Sequence, residues 1–517
     1  MAECPVNKID SNIVGLAIAE EVCPGILPGE TADFPGTPVW QNYEPNSYSD
    51  FGGELTTVAR NPINQSRQNQ KGLVTDIEAS GGFNHDFMLS LIPRRLQEFF
   101  FADMREKATT RSLNKSPTLV TAVASATGYA VTGATTLGFA VGQLLLAYGF
   151  DVASNNGLKA VSAASATAVN VTPATSAEAS PPVTAGLKAV GFQFPADDVA
   201  LQAPVGDLPR LVATATNLTS LGLIPGEWIF IGGDAIANQF DSGNFGFARV
   251  KSISATTIIL DKVDWAVTAQ AGTGKSLQIF YGDVLKNESD PTLIKARSVQ
   301  LRRTLGRDAN GVQSEYLIGS YANELTLNMP LADKINVDLG YTSMDHVTRT
   351  GAQGLKAGTN LPVARSDVFN TSSDFARIKL AIINATNGNP TPLFSFVNEM
   401  TLTIGNGITM NKALGVLGAI GQSSGNFSVG GSLTAYFSTV AAVQAVRNNA
   451  DVTLDMISVK KNTGMVWDIP LLTLGGGRVT VEQDQPVMIP LDSNAAESAF
   501  GHTLMFGNFA YLPNLAQ

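Results

Sequence analysis

One β pattern is written twice in the middle of this chain. VGQLLLAYGFD (141–151) reads against PGEWIFIGGD (225–234), and LKAVSAASATAVNV (158–171) reads against FARVKSISATTIIL (247–260). Ser165-Ala166-Thr167 in the first copy matches Ser254-Ala255-Thr256 in the second, and the offsets of 84 and 89 residues leave an insertion of five in copy two. Each copy breaks into apolar runs of roughly four to eight residues bounded by Gly, Asn and Pro, which is the punctuation of strands and tight turns. Leu144–Tyr148 ahead of Asn155-Asn156-Gly157 is one such run. A solenoid needs three or more repeats, so two copies predict a pair of small β-sandwiches or barrels.

The rest of the chain is read around that pair. No residue from Ser116 to Phe150 is charged, a stretch long enough to cross a bilayer. Glycines at 128, 133, 138, 142 and 149 and the amide of Gln143 divide it, and Gln143 aligns with Glu227 in copy two, which a bilayer segment would not tolerate. The stretch is therefore expected to form strands, and no membrane partner is expected. With 517 residues, 49 Gly, 25 Pro and only 15% charged residues, the chain is expected to be mainly β and to hold two to four domains. Its zones are 1–115, copy one at 116–195, copy two at 196–290, and 291–517. Helices are expected near 93–107, where Pro93 opens a run with Leu96, Phe99 and Phe100, and over 438–450 with Ser438 as N-cap. The last zone offers alternating strands such as EYLIGSY, ELTLNMPL, MTLTIGNGI and LDMISVKK.

Composition also excludes function classes. A net charge of −10 removes the uniform positive field that a sequence-independent nucleic-acid binder uses. Cys4 and Cys23 are too few for a disulfide framework, and the N-terminus shows no charged segment followed by an apolar one. His85, His346 and His502 stand at no metal-ligand spacing, so no metal and no cofactor are expected. Two motifs look catalytic. Ala269–Ser276 fits a relaxed phosphate-loop pattern with Lys275, yet the following LQIFYGD reads as a strand where a phosphate site needs a helix N-terminus. Gly421-Gln422-Ser423-Ser424-Gly425 fits the nucleophile-elbow pattern of serine hydrolases, but it leads into the alternating NFSVGGSLTAYF. Both are read as turns, and the chain is not expected to be an enzyme. Residues 345–367 show no strand pattern and exceed the usual loop length, so His346, Arg349, Lys356 and Arg365 are the candidate contacts to a neighbouring subunit.

The outer zones carry a resemblance. SNIVGLAIAEEV (11–22), residues 36–88 from GTPVWQNYEP to GGFNHDFM, FFFADMREK (99–107), residues 396–438 from FVNEMTLTIG to SLTAYFS, and VWDIPLLTL (466–474) are similar to the major tail tube proteins of long-tailed double-stranded DNA bacteriophages, siphovirus type. The resemblance implies a tail-tube β-sandwich or barrel with one or more packing α-helices, into which the two β-modules are inserted. It implies a structural subunit of homo-oligomeric rings, hexameric in such tubes, stacked around a channel for genome DNA. It further implies partners among the tape-measure, terminator and distal tail proteins, assembly in the host bacterial cytoplasm, and only transient, non-specific contact with phage DNA. A β-rich tail fibre or surface adhesin is the alternative, although fibres are built from many short repeats rather than two.

Overall fold

A computed structural model of the chain describes residues 14–517 except 64, 125, 242, 309, 310, 385, 387, 395 and 438. The described residues form a mainly β protein with two short α-helices, Ile92–Phe100 and Ala441–Arg447. They group into two compact units: Met1–Ala102, Ile294–Thr371 and Glu399–Ser432 in the first, and Asp103–Leu293, Ser372–Asn398 and Leu433–Gln517 in the second. The sequence zone 291–517 thus contributes to both.

In the second unit the repeat forms one open sheet of twelve strands. From one edge these are Val199–Gln202, Arg210–Ala213, Thr257–Val263, Gly246–Ile253, Trp228–Ile231 and Gln278–Tyr281, followed by Gly186–Gln193, Gln143–Tyr148, Gly157–Ala164, Ala168–Thr172, Gly128–Val131 and Val120–Ala124. Numbered in chain order within each copy, the sheet runs 1-2-5-4-3-6 through copy two and 6-3-4-5-2-1 through copy one. The register repeats as well: Leu144 faces Ala160 as Trp228 faces Arg249, and Val161 faces Val171 as Val250 faces Leu260. The copies are not two closed barrels. Their sixth strands pair antiparallel, Gly191 with Phe280, so each satisfies the other's open edge. Gly191 makes that joint possible, because a β-carbon there would collide with the carbonyl of Ile279.

A second sheet lies against this one. Phe375–Ile382, Val452–Lys460 and Thr463–Gly476 pair in succession, and Thr463–Gly476 continues to Met488–Ala495 and Met505–Phe509. Leu144, Trp228, Phe230, Phe247 and Phe280 from the repeat meet Ile457, Val466, Met505 and Phe509 in one buried cluster. Each such side chain contributes about 1.5–3 kcal/mol on burial, so this layer of sheet on sheet anchors the unit. Charges are buried beside it and are paired. Arg249 bridges Asp261 at 3.0 Å and Asp468 at 3.1 Å, while Asp455 receives Lys262 and, at 2.6 Å, Arg377. The expected helix at 438–450 shortens to Ala441–Arg447, and its proposed cap, Ser438, lies outside the described residues.

The first unit turns on one long strand, Gly311–Met329, which joins the expected EYLIGSY and ELTLNMPL into 19 residues. Its first half pairs with Ser298–Asp308 on one side and Asp345–Arg349 on the other; its second half pairs with Asn336–Ser343 and Val397–Gly405. From Ser298–Asp308 the sheet continues through Gly15–Glu20 and Val39–Tyr43 to Thr359–Leu361. The helix Ile92–Phe100 is buried on nearly all sides, with Leu96 and Phe99 fully covered. It ends earlier than the expected 107. Phe101 turns left-handed at φ 50°, and beyond it Arg105 pairs as a strand with Val284, its N–H donating to the Val284 carbonyl at 2.7 Å. Inside the unit, Arg95 and Glu98 form a buried ion pair one turn apart, and Tyr341 Oη donates to Glu98 at 2.9 Å.

Candidate assembly site

The segment 345–367 is not the strand-free loop the sequence suggests. Asp345–Arg349 is a strand, antiparallel to Gly311–Met329, and Thr359–Leu361 is a short parallel partner of Val39–Tyr43. The pattern Asp-His-Val-Thr-Arg alternates for only five residues, too short a run to announce itself. His346 Nε2 sits 3.1 Å from Glu315 Oε2, and Arg303 also binds Glu315. Burial raises the Glu315 carboxyl, but the hydrogen bonds from His346 and Arg303 outweigh it and hold the group below its usual range. Arg349 and Lys356 lie over the Tyr316 ring at 5.8 and 5.5 Å, and Lys356 Nζ donates to Glu30 and Gln300, both at 2.8 Å. Arg302 stacks on Trp40 at 4.7 Å and donates to Asn360. Three of the four candidates therefore tie the segment to its own unit. Arg365 differs: its side chain is 76% exposed and its partner, Glu44, is 57% exposed.

A second surface in the same unit escaped the sequence reading. Ser47–Arg60 and Gln70–Asp86 form a long antiparallel hairpin. Its base is held, because Ala79–Asp86 pairs with Asn336–Ser343. Beyond the base, among the described residues 54–60 pair only with the facing stretch 70–78, and 54–60 and 70–76 are exposed or half-exposed on both faces. Leu55, Val58, Leu73 and Val74 are each more than half exposed there. Lys412 braces the near end of this ribbon through Asp76 and Glu78, and the loop it opens carries Leu414, Val416, Leu417 and Ile420, all exposed.

The two catalytic-looking motifs take other forms. The phosphate-like loop leads into the strand Gln278–Tyr281. Its Gly274 N–H donates to the Asp197 carboxylate at 2.6 Å and Lys275 Nζ to Asp241 at 2.7 Å, so the groups a phosphate would need face carboxylates. Ser423 lies in the strand Gly421–Ser423, paired with Thr409–Asn411, and exchanges hydrogen bonds with Asn411. His502 belongs to the other unit. The uncharged run is cut into the strands Val120–Ala124, Gly128–Val131 and Gln143–Tyr148, and among the described residues no helix is long and apolar enough to cross a membrane. Cys23 is a free thiol, while Cys4 lies outside the described residues.

A search of curated proteins gives no match. A family model described as phage tail tube protein matches residues 11–221 and 231–495. That match is wider than the outer zones that carry the resemblance in sequence, and it runs through both copies of the repeat except for 222–230. Matched over most of its length, the chain belongs to the phage tail tube protein family.

Proposed function

We propose that this structural subunit of the virion tail closes into rings, hexameric in number, and that the rings stack into a siphovirus-type tube through which genome DNA passes. Assembly takes place in the host cytoplasm, and the tube ends meet tape-measure, terminator and distal tail proteins. The observation that carries the reading is the projecting ribbon of 54–60 and 70–76. A two-stranded ribbon alone is marginally stable in water, and its open edges and apolar side chains are matched to another chain. Its occupant is a neighbouring copy, with Arg365 as a further contact at the exposed end of 345–367. The wall facing DNA is acidic or neutral in keeping with the charge of −10, so phosphates are repelled within about 8 Å at physiological salt and slide without sticking.

Electron microscopy of the purified chain tests this directly. Rings or tubes are expected; a monomer that stays monodisperse at high concentration would refute the reading. A map of the tube with a lumen lined mainly by Lys and Arg would refute the charge argument while leaving the assembly intact.

A further inference from the structure

Lys379 is a buried charge of the second unit that meets an amide where its neighbours meet carboxylates. It stands on Phe375–Ile382 directly across from Asp455, which is already bound by Lys262 and Arg377. Its side chain is buried, and among the described residues it has no carboxylate within ion-pair distance. Nζ instead donates to the side-chain carbonyl of Asn389. The amide is held in place from two sides. Asn389 Nδ2 donates to the Trp265 carbonyl at 3.1 Å, and the preceding residue, Gly388, accepts from Val263 N–H at 2.7 Å, pinning this segment to the repeat sheet. A buried amine without a counter-ion, set against a fixed primary amide, is a nucleophile facing an acyl group.

We propose that Lys379 and Asn389 form an intramolecular isopeptide bond. The Nζ of the neutral amine attacks Asn389 Cγ, the Cγ–Nδ2 bond breaks, and Nδ2 leaves as ammonia carrying the proton lost by Nζ. Nothing is oxidised or reduced, and no co-reactant is required. The neighbourhood favours each step. Burial, and then the charge of Arg377, push the Lys379 amine down to about 8, so a usable fraction is neutral near pH 7. Lys262 acts in the same direction, while Asp455 and Asp264 act against it. Asp264, whose carboxyl burial pushes up to about 6 and whose charge acts on the Lys379 amine, is the carboxyl assigned to relay the proton. A cavity of about 340 Å³ lined by Trp265, Gly388 and Asn389 gives ammonia a route out. Lys262 provides the contrast: it meets the carboxylate of Asp455, and that ionised, Arg-bound group is a poor acyl donor.

The intact mass of the purified full chain, denatured before measurement, decides the matter. It is expected to fall one ammonia short of the sequence, with trypsin unable to cut after Lys379. The peptide spanning 378–412 should then give no fragment ions between 379 and 389. Lys379→Arg should restore the full mass. A wild-type chain of full mass after incubation at mildly alkaline pH overturns the proposal. So does an ammonia loss that maps to a succinimide at Asn387-Gly388 with cleavage after Lys379 retained. Neither outcome bears on ring assembly.

Discussion

At the scale of single residues, buried polar groups set how the stability of this protein responds to pH and to substitution. His502 is nearly fully buried and stacks on Phe500 with centroids 5.9 Å apart. Burial, and then the charge of Lys286, push it down to about 3. An unfolded histidine binds its proton near pH 6.5, so the folded state is favoured above that pH and loses ground as pH falls from about 6.5 to about 3, by about 1.4 kcal/mol per unit at most. Comparing melting curves of the wild type and His502→Phe across this range should show a shallower acid loss in the variant. Arg95→Leu should lower stability by about 3–5 kcal/mol in denaturant titrations, because it leaves Glu98 buried without its cation. The three-residue spacing of Arg95 and Glu98 in the expected helix was legible in sequence, but their burial was not. His502 was read only as a histidine without metal-ligand spacing, and Arg249 meets Asp468 across a separation of 219 residues that no local pattern records.

The elements were legible in proportion to how local their causes are. The repeat was found with its insertion because a strand register set by side-chain alternation survives at a constant offset: Ala164 faces Val169 as Ile253 faces Ile258. The helix at Pro93 was found, but its end was not, since a distant strand at Val284 takes up Arg105. The strand Gly311–Met329 was read as two because Ser320 and Asn323 interrupt the apolar pattern at the place where it passes from one set of partners to the next. The hairpin was within reach of sequence, its exposure was not. Leu73→Asp should therefore leave folding within about 0.5 kcal/mol, as at an ordinary surface site. Light scattering should nonetheless show polymerisation abolished. Arg365→Ala should also leave the melting temperature nearly unchanged, its exposed pair with Glu44 being of little weight, and any loss of assembly would then report a contact between subunits.

For the molecule as a whole, the duplicated sheet is built into the second unit rather than hung from it. Its inner face covers Ile457, Val466, Met505 and Phe509, so deleting 117–289 should give insoluble chain, not bare tubes; soluble, tube-forming product in a sedimentation assay would contradict this. Because both copies keep the same register, the chain also carries an alignment of itself. At equivalent places copy one has Leu144, Leu146, Leu158 and Ala160 where copy two has Trp228, Phe230, Phe247 and Arg249. The larger set is buried under the second sheet, whereas Leu146, Leu158 and Ala160 are only partly covered. One strand register thus serves under two unequal covers. Where the cover is complete the strands carry bulk and a paired charge, and where it is partial they carry smaller residues.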